Sequence, residues 1–303
     1  MKILLINENI RGVVSDEETF WSVLANNLHD CQAIALADFQ DDIEQYLRKN
    51  PPKILIFNSI LGDIKVPFGV KKIAILQDNF TAMTKLLPLT LRSLAAKIIR
   101  LGKGSYARRL KKQKTAIFNA DLVVAVSQDI AKWYGIKAEI IPIGTDMGLF
   151  RPMDKTFLRK KYNIPQNKFV KIYIGSTHPV KGWDLIKKEI ERDKDYFYIL
   201  VLKDEKIPKL NYKNVKIFQR VPQMILAELY NCADLYVGRS RVESLWLAAI
   251  EAMFCNIPID VTPTGIFADW FLQNKNPRQE ALNKGLDRET MIEKWGKLIK
   301  EME

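Results

Sequence analysis

The stretch Arg239-Ser240-Arg241-Val242-Glu243-Ser244-Leu245-Trp246-Leu247-Ala248-Ala249-Ile250-Glu251-Ala252-Met253 decides how this chain is read. It follows a short apolar strand, Ala233-Asp234-Leu235-Tyr236-Val237-Gly238. At about 100° per residue, the apolar residues over 245–254 cover every side of a helix, and a helix apolar all round is a buried one. Glu251 therefore has no wet face of its own, and an unpaired buried carboxylate costs several kcal/mol. It needs hydrogen-bond donors, from the protein or from a ligand. Glu243 stands eight residues earlier, just before the helix. A helix start there presents free N–H groups and a positive dipole end to an anion. Two readings stand side by side. Either the carboxylates frame a site for a ligand bearing both hydroxyls and phosphates, or Glu243 is an N-terminal helix charge and Glu251 a paired core residue.

Working outward, strands and helices alternate. Apolar runs predict strands over 2–6, 33–36, 53–57 and 72–76, with helices over 17–28 and 41–47 between them. A strand over 120–127 is followed by a helix that Ser127 caps, and another strand covers 138–143. The turn-rich stretch Gly144-Thr145-Asp146-Met147-Gly148 predicts a joint, with one domain over 1–147 and a second over 148–303. The second half restarts with a strand over 169–174 that runs into Gly175-Ser176-Thr177-His178-Pro179-Val180-Lys181-Gly182 and a helix near Trp183. A glycine-started loop with a lysine between strand and helix suits a phosphate, although an ordinary strand–helix loop with a surface lysine has the same pattern. Strands follow over 196–202, 215–218 and 258–261, with a helix over 224–230. A last amphipathic helix over about 288–302 is expected to pack back on the first domain. This alternation predicts an α/β protein with parallel sheets covered on both faces. Ligands of such sheets sit at the carboxyl ends of the strands.

The chain has 303 residues and a formal charge of +12. Ten cations and no acid lie between Lys85 and Lys114, so the charge is one segment and not a property of the whole chain. A helix over 91–101 places Arg92, Lys97 and Arg100 opposite Leu94, Ile98 and Leu101, and a second basic helix covers 105–118. A core-packed pair with a solvated basic face is one reading. Attachment of 91–114 to an anionic membrane is another, and nucleic-acid binding by 85–114 a third, disfavoured by the scarcity of stacking aromatics. The longest apolar runs are too short to span a bilayer, and the first residues read as a strand, not a signal peptide. Three scattered cysteines fit a reducing cytoplasm. Two histidines exclude a multi-histidine metal site.

Taken together, Tyr173-Ile174-Gly175 with Lys181-Gly182-Trp183-Asp184, Ser240-Arg241-Val242-Glu243 with Ile250-Glu251-Ala252-Met253 and Ile257-Pro258, and the stretches Ala120-Asp121-Leu122-Val123-Val124-Ala125-Val126-Ser127 and Ile141-Pro142-Ile143-Gly144-Thr145-Asp146 resemble the retaining glycosyltransferases of the GT-B fold, family 4, with their Glu-x7-Glu signature. The resemblance runs over about 1–265. It implies two Rossmann-like domains whose parallel sheets face a central cleft, and transfer of a hexose from a nucleotide-sugar donor to a glycan or lipid-linked acceptor with retention. Glu243, Lys181 and Asp78 are the implied catalytic residues. Glu251, which would accept from the ribose hydroxyls, joins Gly175, Ser176, Thr177, Lys181, Ser240, Leu245, Trp246 and Gly12 as donor-binding residues. No metal or cofactor is implied, because lysine and backbone donors stabilise the leaving diphosphate. The expected location is the cytoplasm, with peripheral contact to the inner membrane face. Three features depart from the family. Ser176 stands where an Arg is usual, and Arg239 or Arg241 is the candidate replacement cation. Trp246 stands where a glycine is usual. Asn58 and Gln77-Asp78 stand near the expected place of the first domain's histidines. These departures also admit a binding protein that has lost turnover.

Overall fold

The computed structural model describes residues 2–8, 16–36, 43–86, 106–205, 210, 212–270 and 273–303. The chain divides into two compact units, one of Met1–Pro142 with Met291–Glu303 and the other of Ile143–Thr290.

The first unit holds β1 (Ile3–Asn7), β2 (Cys31–Ala35), β3 (Ile54–Asn58), β4 (Lys71–Leu76), β5 (Leu122–Ala125) and β6 (Glu139–Ile140). They form one sheet in the order β2-β1-β3-β4-β5-β6, every pair parallel. The continuous apolar runs explain this. Ile3 to Ile6 and Ile54 to Phe57 are at most 5% exposed, as strands covered on both faces must be. The helices are α1 (Asp16–Asn27), α2 (Ile43–Lys49), α3 (Phe80–Leu86), α4 (Tyr106–Asn119) and α5 (Gln128–Tyr134). On one face Leu4, Ile6, Leu55 and Phe57 share a core with Leu47 of α2, Phe80 of α3 and Ala116 of α4. Ser127 caps α5 by accepting from Ile130 N at 3.4 Å, and Gly135 ends it in the left-handed region.

The second unit holds β7 (Val170–Gly175), β8 (Phe197–Leu202), β9 (Val215–Gln219), β10 (Leu235–Gly238) and β11 (Ile259–Val261). Their order is β11-β10-β7-β8-β9, again all parallel. Its helices are α6 (Lys155–Lys161), α7 (Trp183–Arg192), α8 (Gln223–Asn231), α9 (Leu247–Phe254) and α10 (Pro277–Asn283). The last helix, α11 (Arg288–Met302), belongs to the first unit from Met291 onward. There its fully buried Trp295 lies beside Phe20 of α1, ring centroids 6.5 Å apart. Among the described residues no helix is long and apolar enough to cross a membrane. The helix read over 91–101 lies outside the described residues.

Candidate functional site

In the second unit β10 pairs with β7, Tyr236 opposite Ile172. Their carboxyl ends therefore bring two loops together, 176–182 after β7 and 239–246 after β10. The loops are tied by Arg241 N donating to Val180 O at 2.7 Å. Gly182 makes the approach possible. Its φ is 66°, and a Cβ there would lie 1.8 Å from the carbonyl oxygen of Arg239.

This packing brings Lys181 to Glu243. Lys181 Nζ donates to Glu243 Oε1 at 2.7 Å, and Ser240 Oγ donates to the same oxygen at 2.7 Å. The lysine side chain is 38% exposed and the glutamate 14%, so the cation is the accessible member. Glu251 lies inside α9, 4% exposed, as the all-round apolar pattern requires. Its Oε2 sits 2.7 Å from the hydroxyl of Tyr230, a fully buried side chain of α8. Burial, then the neighbouring Glu251, pushes the Tyr230 phenol well above its usual range, so it keeps its proton and acts as donor.

The helix begins at Leu247, two residues later than the sequence pattern suggests. Trp246 interrupts it, adopting φ 70° and ψ 49°, the left-handed conformation that glycine favours. Its indole is buried, donates to Thr264 Oγ1 at 2.9 Å and lies over Gly238, where a Cβ would come within 2.4 Å of the ring. The large side chain is thus accommodated by a small neighbour across the loop. Among the described residues no acceptor faces the backbone N–H groups of Leu245, Trp246 and Leu247. The start of α9 therefore keeps an anion-binding character, beside the ammonium of Lys181.

The two arginines are committed elsewhere. Arg239 donates to Glu189 and to Asp260, and Arg241 forms a two-bonded pair with Asp184 at 2.8 and 2.7 Å. Arg241 accordingly holds the Asp184 carboxyl below its usual range. Neither guanidinium stands free to replace the cation lost at Ser176. Gly175 ends β7, Tyr173 donates to Ser176 O at 2.8 Å, and Thr177 N donates to Asp204 Oδ2 at 2.7 Å. Ser240 and Leu245 are buried beneath the loop.

Asp78 is in the first unit, on the loop after β4, where its carbonyl accepts from Gln113 Nε2 at 3.0 Å. Gly12 lies outside the described residues. Sequence reasoning missed Tyr230, Thr264 and Asp204. Tyr230 left a faint signal, since a tyrosine on the buried stripe of a helix needs a partner for its hydroxyl.

Residues 154–301 match the family model described as glycosyl transferases group 1. The D-inositol 3-phosphate glycosyltransferase of Segniliparus rotundus is 28% identical over 203 residues, 58% of this chain and 45% of that protein. That of Thermomonospora curvata is 23% identical over 193 residues, 52% of this chain and 45% of its own length. The chain thus spans less than half the length of these curated relatives. The structure is similar to sucrose-phosphate synthase from Thermosynechococcus elongatus, with TM-score 0.78 and 17% identity over 99% of this chain and 98% of that one. It is also similar to Anabaena Alr3699/HepE in complex with UDP-glucose, with TM-score 0.72 and 16% identity over 99% and 100%. At these identities the likeness establishes the fold, GT-B-like and built of two Rossmann-like α/β units with parallel sheets.

Proposed function

We propose that this chain is a retaining hexosyltransferase that moves a sugar from a nucleotide-sugar to a glycan or lipid-linked acceptor. The observation that carries the reading is the meeting of Lys181 Nζ with Glu243 Oε1 at 2.7 Å beside the open start of α9. Eight residues on, Glu251 lies buried in α9 and accepts from the Tyr230 hydroxyl, and we assign this carboxylate to the ribose of the donor. On donor binding Lys181 turns from Glu243 to the diphosphate. The bond between the anomeric carbon and the diphosphate oxygen breaks, its electron pair leaving with the diphosphate. Lysine and the N–H groups over 245–247 stabilise that charge in place of a metal. The acceptor hydroxyl forms the new bond on the same face and its proton passes to the oxygen of the leaving diphosphate, with Glu243 contacting the transferred sugar.

Titration calorimetry and thermal shift with UDP-, GDP- and ADP-glucose test the reading. UDP-glucose comes first because Alr3699/HepE was captured with it. At a donor concentration a hundred times Kd, stabilisation of about 2.7 kcal/mol is expected. It should be lost in Glu251→Ala and weakened in Lys181→Ala. No stabilisation by any donor would refute it. The buried indole of Trp246 and the committed arginines favour a second reading, donor binding without turnover. Release of labelled sugar to acceptor or water separates the two.

A further inference from the structure

The two edges of the second sheet are finished differently. At the β11 edge, Tyr236 N donates to Pro258 O at 2.9 Å and Thr262 N to Gly238 O at 3.2 Å, which leaves the N–H and C=O of Ile259 facing outward. Asn274 closes both. Its Oδ1 accepts from Ile259 N at 3.1 Å and its Nδ2 donates to Ile259 O at 3.0 Å. A side-chain amide thus stands in for a neighbouring strand.

The opposite edge is β9. In a parallel ladder alternate residues turn their backbone groups toward the neighbour. Tyr198 N donates to Asn214 O at 2.8 Å and Arg220 N to Leu202 O at 3.0 Å. With Tyr198 opposite Val215 and Leu202 opposite Gln219, the backbone groups of Lys216 and Phe218 also face β8, and those of Val215, Ile217 and Gln219 face outward. Among the described residues no hydrogen bond reaches these outward N–H and C=O groups. The strand is half-buried to exposed along its length, whereas β8 beside it is buried from Tyr198 on. Edge strands are commonly blunted by a projecting lysine, a proline or a bulge. β9 has no proline and pairs with β8 residue for residue. Its lysine is folded onto its own unit: Lys216 Nζ donates to Tyr162 O and lies 5.7 Å from the centroid of the Phe218 ring.

The order of residues along β9 says what fits it. In an antiparallel pair, two outward-facing residues opposite each other exchange both of their hydrogen bonds. A second copy of β9, centred on Ile217, uses every outward group: Ile217 meets the partner's Ile217, and Val215 meets the partner's Gln219. Between them Lys216 stands opposite the partner's Phe218, a cation against a ring. Asn214 stands opposite the partner's Arg220. No two like charges face each other over 214–220. A strand that complements itself in this way meets the requirement of a two-fold interface.

We propose that β9 is a homodimer interface, in which two copies of this chain join edge to edge, antiparallel about a two-fold axis at Ile217, into one continuous sheet. The strands of the two copies run in opposite directions. The loops 176–182 and 239–246, at the carboxyl ends of β7 and β10, therefore open on opposite sides of the joined sheet and stay free. The interface does not depend on the transferase reading. One short strand buries less than a standard interface, so the dimer is weak and reversible, with Kd between about 1 μM and about 1 mM.

Sedimentation of the whole chain from about 1 μM to about 1 mM should show a reversible monomer–dimer equilibrium. Val215→Pro removes an outward N–H and leaves the bonds to β8 in place, since proline is tolerated at the first residue of an edge strand. It deletes the bond to the partner's Gln219 at both ends of the interface and should weaken the dimer at least about tenfold. Val215→Ala, which keeps the N–H, should dimerise within about threefold of the wild type. Residue-resolved amide hydrogen exchange on the wild type needs no variant. The amides of Val215, Ile217 and Gln219 should gain protection as concentration rises, whereas those of Lys216 and Phe218 should be protected throughout. A monomer at every concentration, a dimer that Val215→Pro weakens no more than Val215→Ala does, or a dimer whose outward amides exchange as fast as the monomer's would overturn the proposal.

Discussion

Replacing Tyr230 with Phe removes one oxygen from the interior and nothing else. The phenol lies 2.7 Å from Glu251 Oε2 and 2.7 Å from the carbonyl of Ala248, and both side chains are essentially out of water. The phenol has one proton. The Ala248 carbonyl stands in the first turn of α9, where the helix offers it its own donor, so the proton matters most to the carboxyl group. A hydrogen bond to a charged group contributes about 1.5–3 kcal/mol, and a neutral one about 0.5–1.5. Tyr230→Phe should therefore cost about 2 kcal/mol. In a unit of this size that is a fall in Tm of about 4–8 °C. The control is Glu251→Gln, which keeps the shape and removes the charge. Against that background Tyr230→Phe should cost only about 1 kcal/mol, so the double-mutant cycle should give a coupling near 1 kcal/mol. Urea denaturation of the four proteins supplies the numbers. A coupling of zero, or a cost of Tyr230→Phe below about 0.5 kcal/mol, would show that the phenol does not support Glu251 and refute the reasoning.

Two further outcomes are expected. At position 246 glycine should be more stable than alanine by about 0.5–1 kcal/mol, the reverse of the order in a helix, because alanine keeps the left-handed strain without the indole's packing; an alanine variant as stable as glycine in urea denaturation would contradict this. We also propose that the basic segment meets anionic membranes. On α4 Lys111, Lys114 and the exposed Phe118 line an open groove. Changing both lysines to Ser should lower co-sedimentation with anionic vesicles by about fivefold per charge, and unchanged binding would remove this segment from membrane contact.

Much of the fold was legible because burial of parallel strands writes itself as unbroken apolar runs. The strands expected over 2–6, 53–57 and 169–174 differ from β1, β3 and β7 by a single residue at the ends. Length alone does not decide which helices are legible: α2 and α5 were read, whereas α3, α6 and α10, equally short at seven residues each, escaped. Their signal was in the caps. Asn79, Asp154 and Asn276 each accept from the backbone N–H three residues on. A cap without a periodic stripe is hard to tell from a turn.

The site divides along the same line. Glu251's need for a donor followed from the apolar pattern around it. The donor's identity did not, because Tyr230 reaches it across helices 21 residues apart in sequence, and no local pattern encodes such a pairing. Trp246 is the sharper case. Sequence reasoning treated it as an obstacle where backbone should approach a ligand. The structure keeps the backbone conformation a glycine would give and moves the bulk elsewhere, onto Gly238 and Thr264. The residue is a tryptophan and its backbone conformation is one that glycine favours. The left-handed turn that ends the loop, and so aims the open N–H groups at the start of α9, is thus a requirement of the site strong enough to hold a tryptophan in a strained conformation. Strain of this kind persists only where the surroundings over-determine it. Here they are the indole's bond to Thr264, the space left by Gly238 and the close packing of Gly265 against Ser244.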